Sequence, residues 1–188
     1  QVGGVFSVYG GYLGDQWQRR DLRGRATLSA IGVLGAIPLY LALFFIPLTG
    51  LNIPEPAGTG DVIVAVFGGL FTNGWVAGAF FLALGALALT SLDSPNWFAL
   101  ISEVNLPEHR GTAFGLANLS GGVGRAIGIW LTPAASIFFE SRFMPPLNFA
   151  IGLALFQLFF VPTGFCYYMA TKTTPKDIAE ARKTMASR

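Results

Sequence analysis

The chain has 188 residues, 53% hydrophobic and 12% charged, with 24 Gly and 17 Phe. Its charged fraction is about half that of a soluble domain, and so much glycine in apolar sequence is a habit of membrane helices. A net charge of +2 implies no basic face for nucleic acid; the single cysteine excludes an internal disulfide, and with one histidine there is almost no material for Cys/His zinc sites or His-assisted nucleophiles.

The apolar runs are continuous, unlike the alternating ten-residue segments of a membrane barrel. They predict an all-α integral membrane protein with four complete transmembrane helices plus a truncated one. Residues 1–13, "QVGGVFSVYGGYL", read as the end of an earlier span. Because the chain starts at Gln1 without a charged n-region, it is expected to be a fragment of a longer protein. Residues 14–25 form a basic loop. A four-helix bundle follows over 26–170, with spans at Ala26–Leu48, within Val62–Val104, at Thr112–Phe138 and at Leu147–Ala170.

Val62–Val104 is too long for one straight crossing. At 1.5 Å per residue it extends roughly 65 Å, about twice the hydrocarbon core. It is either one span from about Trp75 preceded by a short interfacial segment, or two spans. Asn73-Gly74 is a turn signal and favours one span. Charge favours it too. With one span, all of the 12 Lys/Arg except Arg125 and Arg142 fall on one side, in the 14–25 loop, the "NLPEHRG" loop and the tail. The positive-inside rule makes that side cytoplasmic. The opposite loops are "TGLNIPEPAGTGD" and "FESRFMPPLN".

The tail, 171–188, carries a helix-start signal: Thr174 as N-cap, Pro175 at the first helical position, Asp177 as the acid of a capping box. Ile178, Ala181 and Met185 give a thin apolar stripe, which predicts a short amphipathic helix at the membrane edge.

Arg125 sits in the middle of the third span, roughly 20 Å from either end. Its stem is too short to reach the interface, so it needs a carboxylate, carbonyls or a water-filled cavity. Asn118, Gly121, Arg125, Gly128 and Thr132 share one small, polar face. Asp93 lies at nearly the same depth on the preceding span and is the natural counter-charge; Asn96 and Glu103 are placed on its face. The pair either holds two helices in register or belongs to a substrate or proton site, and both readings stand open. Gly111/Gly115 and Gly124/Gly128 are GxxxG pairs, read with Gly121 as helix-packing surfaces. Pro38, Pro47 and Pro162 predict kinks or helix ends, and Gln157 is a cross-helix bonding side chain. No metal, cofactor or catalytic residue is expected.

Two segments, "GGYLGDQWQRRDLRGR" and "SEVNLPEHRGTAFGLANLSGGVG", lie one pair of spans apart and resemble signatures of the major facilitator superfamily (MFS) of secondary transporters. In "GGYLGDQWQRRDLRGR", Gly11, Leu13, Asp15, Arg19, Arg20, Gly24 and Arg25 supply a loop pattern of a glycine and an acid followed by a basic cluster, with lengthened spacing. In "SEVNLPEHRGTAFGLANLSGGVG", Glu103, Pro107, Glu108, Arg110, Gly111 and Gly115 carry the likeness. The resemblance implies part of an MFS-type six-helix half, the C-terminal one, with the spans as helices nine to twelve. It further implies alternating-access transport of a small solute. Asp93, Asn96, Asn118 and Arg125 become substrate-pathway candidates. Asp15, Arg19, Arg20, Arg23, Arg25, Glu103, Glu108 and Arg110 become a cytoplasmic gating network. The implied setting is an inner (plasma) membrane, and the implied partners are the lipid bilayer, the remainder of the transporter or other membrane subunits, and a small-molecule substrate, with no nucleic acid. The alternative is a non-transporting scaffold, a split or degenerate transporter half within a larger membrane complex.

Overall fold

The computed structural model describes residues 2–49 and 58–188, and every element in it is a helix. The central part of the weakly charged 49–61 loop lies outside the described residues. The first helix, α1, spans Val2–Gln18 and is followed by α2, Gly24–Phe45. α1 runs beyond residue 13, so only a short turn remains of the expected 14–25 loop. α2 stops because Pro47 forces Ile46 into an extended conformation, ψ 130°.

Next come α3 (Thr59–Thr72), α4 (Gly74–Ser91) and α5 (Asp93–Val104). Asn73 separates α3 from α4. Its side chain accepts the Trp75 N–H at 2.9 Å and donates to the Thr49 carbonyl at 2.7 Å, tying the end of α2 to this corner. α4 and α5 form one traverse, interrupted at Leu92. Pro95 has no N–H to offer the Ser91 carbonyl, and the Leu92 N–H bonds Leu89 in a tighter turn at 3.2 Å. The long 62–104 segment is thus one crossing-length stretch preceded by a separate helix, α3, which packs on α4 and buries no residue.

The last three helices are α6 (Pro107–Glu140), α7 (Leu147–Gln157) and α8 (Phe160–Ala186). The α7–α8 break at Leu158–Phe159 has the same cause as the one at Leu92, here Pro162. α8 corrects the expected tail. It continues through Thr174, whose hydroxyl bonds back to the Ala170 carbonyl at 2.6 Å instead of capping a new helix. Two of the stripe's three residues, Ile178 and Ala181, are buried, and Met185 is exposed.

Four stretches are long and apolar enough to cross a membrane: Gly24–Phe45, Gly74–Val104, Pro107–Glu140 and Leu147–Ala186. α2 is their hub, packed against α1, α4, α5, α7 and α8. Ala26, Ala30, Gly32 and Ala36 make it thin enough for this; at Gly32 an added Cβ would sit 2.5 Å from the Leu89 carbonyl oxygen of α4. α6 packs only on α5 and α7 among the described helices, and leaves Leu116, Leu119, Val123, Ile127 and Trp130 exposed.

Candidate functional site: a polar hollow and a charged cluster

The proline break puts Asp93 in the first turn of α5, where the helix dipole favours a carboxylate. Around it three helices converge. The hydroxyls of Ser29 on α2 and Tyr167 on α8 face the Asp93 carboxyl. Even so, Asp93 Oδ1 and Ser29 Oγ are buried without a hydrogen bond of normal geometry. On the open side lies a hollow of about 320 Å³ whose walls include Asp93, Trp97, Asn118, Gly121, Arg125 and Tyr167.

Three of the four pathway candidates therefore meet. The direct Asp93–Arg125 ion pair does not form: Arg125 is exposed and pairs with no acid among the described residues. Asp93 turns to Tyr167 and Ser29, while Arg125 faces it across the hollow. Asn96 is the fourth candidate and lies elsewhere. It is fully buried, donating to the carbonyls of Gly10 at 3.0 Å and Leu92 at 2.7 Å. Three residues of helix separate two side chains by about 60° around the axis. That is enough for α1 to cover Asn96 while α8 and α6 flank Asp93. Gly10 and Gly14 make the approach possible: a Cβ on Gly10 would be 2.8 Å from the Leu92 Cα, and one on Gly14 would collide with the Asn96 side chain.

The glycines expected to pack helices do so nowhere in the described chain. A Cβ at Gly111, Gly115, Gly121, Gly124 or Gly128 would meet nothing within 4 Å. The close approaches fall instead at Gly10, Gly14 and Gly32 on α1 and α2, at Gly152 of α7 against Ser136, and at Gly164 of α8 against Leu34.

At one end of the bundle, Arg25 donates Nη2 to Asp15 at 2.7 Å and Nε to Glu103 at 3.0 Å, joining α1, α2 and α5. Gln18, absent from the expected network, completes it. Its amide donates to Glu103 at 2.7 Å and accepts the Arg25 backbone N–H at 3.2 Å. Arg19, Arg20 and Arg23 are exposed outside this cluster. Glu108 forms a separate pair with Arg188 at 2.6 Å, and Arg110 donates to the Asn105 carbonyl at 3.3 Å. The expected network thus divides: Asp15, Arg25 and Glu103 form a core, and the other charges stay apart. Both ion-pair clusters lie at the end that holds the 19–23 turn, the 105–107 turn and the C-terminus of α8.

Tyr167, Ser29 and Gln18 were not singled out from sequence. A tyrosine in an apolar span needs a partner for its hydroxyl, and that is the signal by which Tyr167 was findable. Among the described residues no three His, Cys, Asp or Glu side chains cluster to hold a metal. No protein-family model matches the chain, and no curated protein matches its sequence.

Proposed function

We propose that the chain is part of an integral-membrane secondary transporter of the MFS type, from its C-terminal half, moving a small polar or anionic solute by alternating access. The observation that carries this reading is the hollow in which Asp93, Tyr167, Asn118 and Arg125 meet at a broken helix midway along the spans. Ionisable groups at such depth are costly and mark solute or proton pathways, and discontinuous helices with a half-helix N-terminus at the site recur in transporters. Arg125 offers the charge for an anionic group of the solute, with Asn118 and Tyr167 as hydrogen-bonding neighbours. The Asp15–Arg25–Glu103–Gln18 cluster serves as the latch of the basic end, which the positive-inside rule makes cytoplasmic in an inner (plasma) membrane. The scaffold reading draws on the empty glycine face of α6, a surface prepared for other helices.

A cysteine at Asn118, in a Cys166→Ala background of the protein in its own membrane, separates the two. Alternating access predicts reaction with an impermeant thiol reagent from either face, in right-side-out and in inside-out vesicles. A scaffold predicts reaction from one face at most, and that result refutes transport through the hollow.

A further inference from the structure

A hollow of about 830 Å³ forms a groove between α2 and α8, sharing no wall residue with the Asp93 site. Its walls are apolar along most of its length: Ala30, Ile31 and Leu34 on α2, Val161 and Phe165 on α8. Its mouth is polar, with Asp21, Arg23, Thr27, Tyr168 and Thr171. Two cations stand there without acid partners among the described residues. Arg23 is exposed in the 19–23 turn, and Lys172 holds its ammonium 4.7 Å from the Tyr168 ring centre. The one acid at the mouth, Asp21, accepts the Arg23 backbone N–H at 2.9 Å.

Length narrows the choice of occupant. From Val161 to Thr171 the α8 wall rises about 15 Å, half the thickness of a bilayer's hydrocarbon core. A crossing helix needs twice that and would bury both cations. A groove that spans one leaflet, apolar inside and cationic at the interface, matches a single lipid molecule. Basic pockets between membrane helices on the cytoplasmic side bind anionic headgroups.

We propose that the α2–α8 groove holds an anionic phospholipid of the leaflet at the basic end. One acyl chain lies along Ile31, Leu34, Val161 and Phe165, and the phosphate meets Arg23 and Lys172, the hydroxyls of Thr27 and Thr171 being committed to the Arg23 and Tyr168 carbonyls at 2.9 and 2.6 Å. The proposal rests on the membrane part of the reading above and not on transport. The groove joins the hub helix to α8, so a bound lipid would brace the bundle on the face away from the hollow.

The test is native mass spectrometry of the full protein, re-extracted in mild detergent from vesicles of equal phosphatidylglycerol and phosphatidylcholine. The wild type is expected to retain phosphatidylglycerol at least tenfold over phosphatidylcholine. Arg23→Gln and Lys172→Gln should each lower that preference about fivefold. Ile31→Trp, which fills the groove with an indole, should abolish retention of both lipids. Lys176→Gln and Arg182→Gln, exposed cations of the same end outside the groove, should leave it unchanged. Equal retention of the two lipids, an equal effect of Lys176→Gln and Arg23→Gln, or full retention in Ile31→Trp overturns the proposal. A protein that carbonate washes from the vesicles overturns the membrane reading itself, an outcome distinct from loss of lipid preference.

Discussion

Replacing Arg25 by Gln should loosen the basic end of the bundle more than any other single charge change there. The Arg25 side chain is 12% exposed, against 57% for Asp15 and 26% for Glu103. The Asp15 contact is solvent-screened and contributes about 0.2–1 kcal/mol. The Glu103 contact is charge-assisted and partly buried, which raises its contribution to about 1.5–3 kcal/mol. The expected loss is therefore about 2–4 kcal/mol, or about 4–16 °C in Tm for a chain of this size. Thermal unfolding in detergent reads it directly. A double-mutant cycle of Arg25→Gln with Glu103→Gln isolates the pair, with a coupling of about 1–3 kcal/mol expected. Exposed Arg23→Gln is the reference and should stay within about 0.5 kcal/mol of wild type. Strict additivity of the cycle, or an Arg25 variant as mild as the Arg23 one, would refute the latch as a structural unit.

Gly14→Ala should cost about 1–3 kcal/mol, because the new Cβ collides with the buried Asn96 side chain. Gly124→Ala should stabilise the isolated chain by up to about 1 kcal/mol through helix propensity; a clear loss of stability would show that another surface already covers α6. Tyr167→Phe removes a hydroxyl that faces Asp93 without a hydrogen bond of normal geometry, and should cost about 0.5–1.5 kcal/mol in the same thermal assay. Thr174→Ala removes a buried side chain and its hydroxyl bond to the Ala170 carbonyl, and should cost about 1–2 kcal/mol in the same assay; a loss under about 0.5 kcal/mol would show that this part of α8 does not pack on the bundle.

Span-length hydrophobicity was legible directly, because it is a property of composition along the chain. The α7–α8 break was legible in Pro162. The charged cluster was legible where the residues carry a recognisable pattern, as in Asp15, Arg25 and Glu103. It was illegible at Gln18, a neutral side chain that becomes important only when three helix ends meet. Asp93 and Asn96 show the limit of helical-face reasoning: about 60° separates them, and which neighbour fills each side is a tertiary fact. Gly10 and Gly14 carry the same four-residue spacing as the α6 pairs, yet only the former have a partner in the described chain. Spacing reports that a close approach is permitted, not that it occurs. The tail misled because Thr-Pro at a helix start and Thr-Pro within a continuing helix look alike until the preceding turn is seen.

The four-span arrangement requires the two charged clusters to share one membrane face, with the Thr49–Asn73 corner on the other. Three exposed positions test this as single cysteines in a Cys166→Ala background: Arg19→Cys and Ser187→Cys at the charged end, Thr59→Cys at the other. With an impermeant thiol reagent, Arg19→Cys and Ser187→Cys should label only in inside-out vesicles and Thr59→Cys only in right-side-out ones. Labelling of Arg19→Cys and Ser187→Cys from opposite faces would contradict the four-span arrangement, and with it the placement of the hollow midway across the membrane.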